Sequence, residues 1–262
     1  MANEQEFEKR ILTNSICALE TSDYYDERWP YVQTDRWPGE EGYGFVRVRA
    51  IEAMMKRFIR SADLKILDLG CGTGWLSRCL SQFGAVTGVD FSADTLEYAR
   101  QKYGLYGRFV LADPSAPTLG LPTNEFDLVV ASEVIEHVLD QEALVYQISL
   151  LLRSEGWLIL TTPNRAVFDA YMADVRKRHY IQPVENWLLP SELAQILRKH
   201  NFTIRQHEGF ATSSNFGYNL PSRVLGHRQI RRIVDKFCLH HLYGRILLPF
   251  AMYQLLIARK TG

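Results

Sequence analysis

The sequence predicts an α/β fold built on a parallel sheet, and three observations carry that prediction. Short apolar runs alternate with helical patterns through most of the chain, beginning at 66–69, 85–89, 108–112, 126–131 and 157–162. Gly70, Gly72 and Gly74 stand on alternate positions between the first run and the first helical pattern. Acids recur where successive runs end, at Asp68, Asp90, Asp113 and Glu133. Strands joined through helices pair in parallel with right-handed crossovers. The ligand of such a sheet lies at the carboxyl ends of its strands, where these four acids fall.

Composition narrows the class. The chain has 262 residues, 47% hydrophobic and 23% charged, the balance of an ordinary globular protein with one α/β domain and insertions. Formal net charge is zero, so no overall field favours nucleic acid, and a nucleic-acid partner is not expected. Cys17, Cys71, Cys79 and Cys238 are scattered without a CxxC pair and no signal peptide precedes them, which predicts reduced thiols in a cytoplasmic protein. No run of eighteen apolar residues suggests a transmembrane segment.

Taken in order, residues 1–20 carry an amphipathic pattern (Phe7, Ile11, Leu12, Ile16, Leu19), and 23–44 are rich in aromatics, prolines and glycines. We read 1–44 as an N-terminal helix and an aromatic lid, and 45–262 as the main domain. Residues 45–59 read as a helix with Val46, Ala50, Met54 and Phe58 on one face and Arg47 and Arg49 at its start. The strand 66–69 turns through the glycines into a helical pattern of Trp75, Leu76, Cys79, Leu80 and Phe83, and strand 85–89 ends on Asp90. Ser92 is placed to cap the next helix, whose apolar face is Leu96, Ala99 and Tyr103. A third strand, 108–112, ends at Asp113-Pro114, and a fourth, 126–131, runs into Ser132-Glu-Val-Ile-Glu-His-Val138. Helix 139–152, a turn at 154–156 and strand 157–162 follow. Residues 165–190 read as a cap insertion with a basic run ending at His179. Then come a helix from Pro190 and a strand 202–209. A second cap insertion spans 213–245, and a last strand 251–260 closes the chain.

The glycine turn selects the cofactor class. Alternate glycines let a backbone approach a ligand closely, and an acid twenty residues past the first glycine is placed for a ribose diol. The dinucleotide fingerprint wants a third glycine where Trp75 stands, and the Gly-Lys-Ser/Thr ending of a phosphate loop is absent. Asp68 would repel a pyrophosphate but suits a cation. S-adenosyl-L-methionine, with an ammonium, a sulfonium and no phosphate, meets these conditions. The turn 132–138 adds Glu133, Glu136 and His137, and an imidazole ordinarily titrates near neutral pH, as a general base requires.

The order D-x-G-x-G-x-G with Val89-Asp90 resembles the class I S-adenosylmethionine-dependent methyltransferases. FDLVVASEVIEHV followed by EGWLILTTPNR resembles the ubiquinone-biosynthesis O-methyltransferase group within it, over roughly residues 45–165. The resemblance implies a Rossmann-like, seven-stranded, mostly parallel sheet whose last strand is antiparallel and at the edge, with a helical cap from the N terminus and the insertions. It implies a ribose-binding Asp90, with Phe91 beside it, and a Gly70, Cys71, Gly72, Gly74 loop against the methionine moiety. Asp113 and Pro114 fall at the adenine, Asp68 at the ammonium, and Ser132 and Glu133 are also cofactor-binding candidates. Of the two arginines, Arg49 is favoured for the cofactor carboxylate.

The implied reaction is methyl transfer to a hydroxyl of a small-molecule or lipid-linked acceptor, with His137, Glu133 and His179 as catalytic candidates. The E-x-x-E-H order also offers ligands to a divalent ion, as in the methyltransferases that modify the 3′ ends of small RNAs, but no metal is favoured here. Two rival readings stand beside it: N-methylation of an amine or amino sugar, and a catalytically inactive cofactor-binding regulator. The basic amphipathic stretch 222–241 suggests peripheral contact with an anionic membrane.

Overall fold

The computed structural model describes residues 43–114, 116, 118–169, 184–210, 240–249 and 251–261. The predicted N-terminal helix, most of the aromatic lid, His179 and the basic stretch up to 239 lie outside the described residues.

The chain enters through α1 (Tyr43–Phe58) and then lays down β1 (Leu64–Leu69), α2 (Trp75–Leu80), β2 (Gly84–Asp90), α3 (Ala93–Tyr103) and β3 (Arg108–Leu111). It continues with β4 (Phe126–Ser132), a 3-10 turn (Ile135–His137), α4 (Gln141–Leu151) and β5 (Leu152–Pro163). It closes with α5 (Pro190–Lys199), β6 (Phe202–Phe210), α6 (His240–Leu247) and β7 (Tyr253–Lys260). The strand order is β3-β2-β1-β4-β5-β7-β6. β3 through β5 pair in parallel, and β7 runs antiparallel to both its neighbours.

The last strand was expected at the sheet edge; it lies inside, between β5 and β6, and β6 is the edge. The reason is in its side chains. Gln254 to Ala258 are all buried, on both faces of the pleat, which only a strand flanked on both sides and covered above and below can satisfy. β5 also starts earlier than the predicted turn: Leu152 already pairs with Phe126, and the register slips before Leu128 meets Trp157. Glu155 absorbs the irregularity at φ 63°.

Alternation along the strands builds the two helical layers. Leu67, Leu69, Val129, Ala131, Leu158 and Leu160 face one way and pack with Leu144, Ile148 and Leu151 of α4 and Leu193 and Leu197 of α5. Ile66, Leu128, Val130, Ile159, Leu255 and Ile257 face the other way against Ile51, Met54 and Met55 of α1. Caps fix two helix starts: Ser92 Oγ accepts the Thr95 N–H at 3.2 Å, as its position predicted, and Asp140 Oδ1 accepts that of Ala143 at 2.9 Å. Among the described residues no helix is long and apolar enough to cross a membrane.

Candidate active site

The carboxyl ends of β2, β1 and β4 lie side by side, and the loops that leave them enclose a cavity of about 320 Å³. That size suits a small organic ligand. The glycine loop forms one wall. Gly70 and Cys71 donate their N–H groups to Val89 O at 2.8 and 2.9 Å, which pins the loop to the end of β2. Gly72 adopts φ +49°, and a Cβ there would meet nothing within 4 Å. Its backbone therefore borders open space, and its N–H donates to Asp90 Oδ2 at 2.9 Å. The other Asp90 oxygen accepts the Ser92 N–H at 3.0 Å, so the carboxylate is held rigidly, 7% exposed, at the tip of β2.

Of the residues the sequence singled out for the cofactor, Gly70, Cys71, Gly72, Asp90, Phe91 and Pro114 line the cavity, and Ser132, Glu133 and His137 line it after β4. Asp68, Gly74, Asp113 and Arg49 are not in its lining. Asp68 sits beneath the loop, 1% exposed, with Oδ2 accepting from Ser77 Oγ at 2.6 Å and Oδ1 buried without a partner. Burial, helped by the neighbouring Asp90, raises its carboxyl to about 7. Gly74 faces inward: a Cβ there would stand 2.9 Å from the Phe109 ring and 3.1 Å from Ala99.

The arginine that reaches the cavity is Arg47, not Arg49. Two residues apart on a helix means about 200° of rotation, so the two cannot share a face. Arg47 Nη1 is 3.4 Å from Glu133 Oε2, linking α1 to the β4 tip. Thr73, Trp75, Leu76 and Thr95 also line the cavity and were not among the predicted site residues; their signal for the site was nearness to the glycines and to Ser92.

The turn after β4 is built on a strained residue. Glu133 has φ +60°, uncommon outside glycine, and such conformations persist only where the surroundings hold them. Here Glu133 N donates to Thr161 O at 3.0 Å and Glu133 Oε1 accepts from Thr161 Oγ1 at 2.9 Å. Ser132 Oγ lies 3.0 Å from Thr161 Oγ1; that hydroxyl spends its hydrogen on Glu133, so Ser132 donates. Burial raises the Glu133 carboxyl, against the opposing pull of Arg47. Glu136 lies deeper, 1% exposed, with Oε2 accepting from Thr162 Oγ1 at 3.0 Å. Burial, with Glu133 nearby, pushes it well above the usual carboxylate range. His137 stands at the end of the turn and lines the cavity.

A sequence profile described as a methyltransferase domain matches residues 67–160, from β1 through β5. The ubiquinone biosynthesis O-methyltransferase of Pelagibacter ubique is 31% identical over 182 residues, covering 63% of this chain and 75% of the relative. The chain belongs to the S-adenosylmethionine-dependent methyltransferases. Solved structures share the fold. The magnesium protoporphyrin IX methyltransferase of Synechocystis PCC 6803, with bound SAH, has a TM-score of 0.61 at 18% identity, over 94% of this chain and 100% of that one. An S-adenosylmethionine-dependent methyltransferase of Mesorhizobium loti has a TM-score of 0.57 at 20% identity, over 80% and 96%.

The cavity of this methyltransferase fits its cofactor. The loop at Gly72 leaves the room that a side chain would fill, and the buried Asp68 oxygen beneath it suits a positive charge. Two carboxylates, Asp90 and Glu133, on the lining would oppose a pyrophosphate and suit a cationic nucleoside.

Proposed function

We propose that this methyltransferase acts on a hydroxyl group of a small-molecule or lipid-linked acceptor, with His137 as the general base. The observation that carries the reading is the shared cavity. Its β2 side holds Asp90 and the glycine loop, and its β4 side holds Glu133 and His137, with β1 between them. Cofactor and acceptor would therefore meet across one strand. The O-methyltransferase name of the relatives supports the hydroxyl over an amine.

In this reading Asp90 holds the ribose diol: its two oxygens are oriented by backbone N–H groups, and each carboxylate oxygen has two lone pairs to offer. Gly70, Cys71 and Gly72 contact the methionine part, Phe91 and Pro114 border the adenine, and Asp68 acts on the ammonium from below the loop. Arg47 takes the carboxylate role first assigned to Arg49, with Glu133 setting its position.

When bound, S-adenosylmethionine supplies a methyl group on a sulfonium, open to in-line displacement. The protein's part is to place the acceptor oxygen on that line and to take its proton. His137 accepts the proton as the oxygen–methyl bond forms.

The test is a mass-spectrometric screen of phenolic, catecholic and amine pools for a gain of one methyl. Products are expected among hydroxyl compounds. His137→Ala should slow their formation by about 10²-fold or more while S-adenosylhomocysteine affinity stays within a few-fold. Methylated amines, formed at nearly the same rate by His137→Ala, would overturn the reading.

A further inference from the structure

The last part of the predicted insertion, residues 184–189, packs on the turn that carries His137. It is fastened there at several points. Asn186 N donates to Glu136 O at 2.7 Å and Asn186 Nδ2 to Val138 O at 3.3 Å, one bond on each side of His137. Gln141 Nε2 ties the same two pieces together, donating to Ile135 O at 2.9 Å and to Asn186 O at 2.7 Å. Further along, Leu188 O accepts from Gln254 Nε2 at 2.8 Å and from Arg165 N at 3.2 Å. The segment is thus a strap, buckled to the core of the sheet at one end and to the catalytic turn at the other.

One atom of the strap reaches the imidazole. Val184 O lies 3.0 Å from His137 Nδ1. A carbonyl oxygen can only accept, so Nδ1 must carry the hydrogen. In the neutral ring the lone pair then falls on Nε2. Among the described residues Nε2 makes no hydrogen bond and stands 3.8 Å from Glu136 Oε1.

We propose that the strap is a positioning device for the base: Asn186 and Gln141 hold the Val184 carbonyl against His137, fix the ring as its Nδ1–H tautomer, and so present Nε2 as the basic nitrogen. Asn186 and Gln141 are positioning residues and touch no reacting atom. This rests on the assignment of His137 as base.

The experiment is ring ¹⁵N NMR of the full-length, ¹⁵N-histidine-labelled protein at about pH 8.5, where an imidazole is ordinarily neutral. The chain has seven histidines, and the spectrum of His137→Gln assigns the one of interest. The wild type should show protonated Nδ1 and unprotonated Nε2. Gln141→Leu removes two of the buckles and Asn186→Ala one. Each should lower the Nδ1–H to Nε2–H ratio by about fivefold, the worth of one ordinary hydrogen bond. S-adenosylhomocysteine affinity should stay within about twofold.

An Nε2–H tautomer in the wild type would overturn the proposal whether or not the variants fold. A ratio unchanged in two folded variants would overturn the role given to Asn186 and Gln141. The two readings fail separately. If His137→Ala turns over acceptor as fast as wild type, the base assignment falls while the tautomer result stands.

Discussion

Asp68 shows what burial does to one carboxyl. With its pKa raised from 3.8 to about 7, the folded protein holds a proton that the unfolded chain gives up near pH 4. The stability linked to this group is therefore complete below about pH 4 and is lost as pH rises to 7. The full cost of burying the ionised form is on the order of 4 kcal/mol. Asp68→Asn should flatten that part of the profile: urea unfolding at pH 5 and pH 8 should differ less in the variant than in the wild type. Equal pH dependence in the two would contradict the assignment. The glycines separate in a similar way. Gly72→Ala meets no neighbour, so it should cost the fold only about 1 kcal/mol for its positive φ. Its methyl would stand in the cavity, and S-adenosylhomocysteine affinity should drop by tenfold or more. Gly74→Ala meets Phe109 and Ala99 and should lose stability, by about 1–3 kcal/mol, more than affinity. Calorimetry with urea unfolding on both variants distinguishes the two patterns, and the reverse assignment would refute this geometry. The spacing of the glycines was legible in the sequence, but which one faces the ligand was not, because that depends on what packs behind the loop. Arg47 and Arg49 pose the same problem. A helix phase error of two residues swaps the faces, and only the packed Ile51, Met54 and Met55 fix the phase.

At the scale of elements, the buried parallel strands declared themselves. β1, β2 and β4 are apolar runs that both faces of the sheet require, and their predicted ends fall within about two residues of the observed ones. β7 was read correctly as the antiparallel strand but placed at the edge, although its run from Leu255 to Ala258 has no polar face for solvent to cover. Gln254 is the polar exception within it and ties three elements together. Its Nε2 donates to Leu188 O at 2.8 Å and to Pro163 O at 3.3 Å, and its Oε1 lies 2.9 Å from His207 Nε2. Gln254→Leu would take this partner from His207 Nε2 and Pro163 O and leave Leu188 O only the Arg165 N–H. A loss of about 3 kcal/mol is expected in urea unfolding. A loss under about 0.5 kcal/mol would show that the strap is not anchored through this side chain. The strap itself was not legible. Val184 lies 47 residues from His137 in a stretch with no motif, and a backbone carbonyl leaves no mark on residue choice.

For the molecule as a whole, the cofactor and the fold should stabilise each other. The cavity walls come from the ends of four strands and the loops after them, and from α1, so a ligand that bridges them binds the folded state alone. At about 100 times the dissociation constant, such a ligand adds about 2.7 kcal/mol. For a chain of this length that raises the melting temperature by about 5–10 °C. S-adenosylhomocysteine should produce this shift, measured by thermal unfolding, and no shift at saturating ligand would contradict it. The central claim is that a sulfur nucleoside without phosphate sits over the tips of β1 and β2, with its ribose on Asp90. Isothermal titration of the wild type and Asp90→Ala with S-adenosylhomocysteine, and of the wild type with NADH, tests it most directly. One-to-one binding to the wild type, at least a hundredfold weaker binding to the variant, and no heat from NADH are expected. Equal affinity in the two proteins, or NADH competing for the cavity, would contradict it.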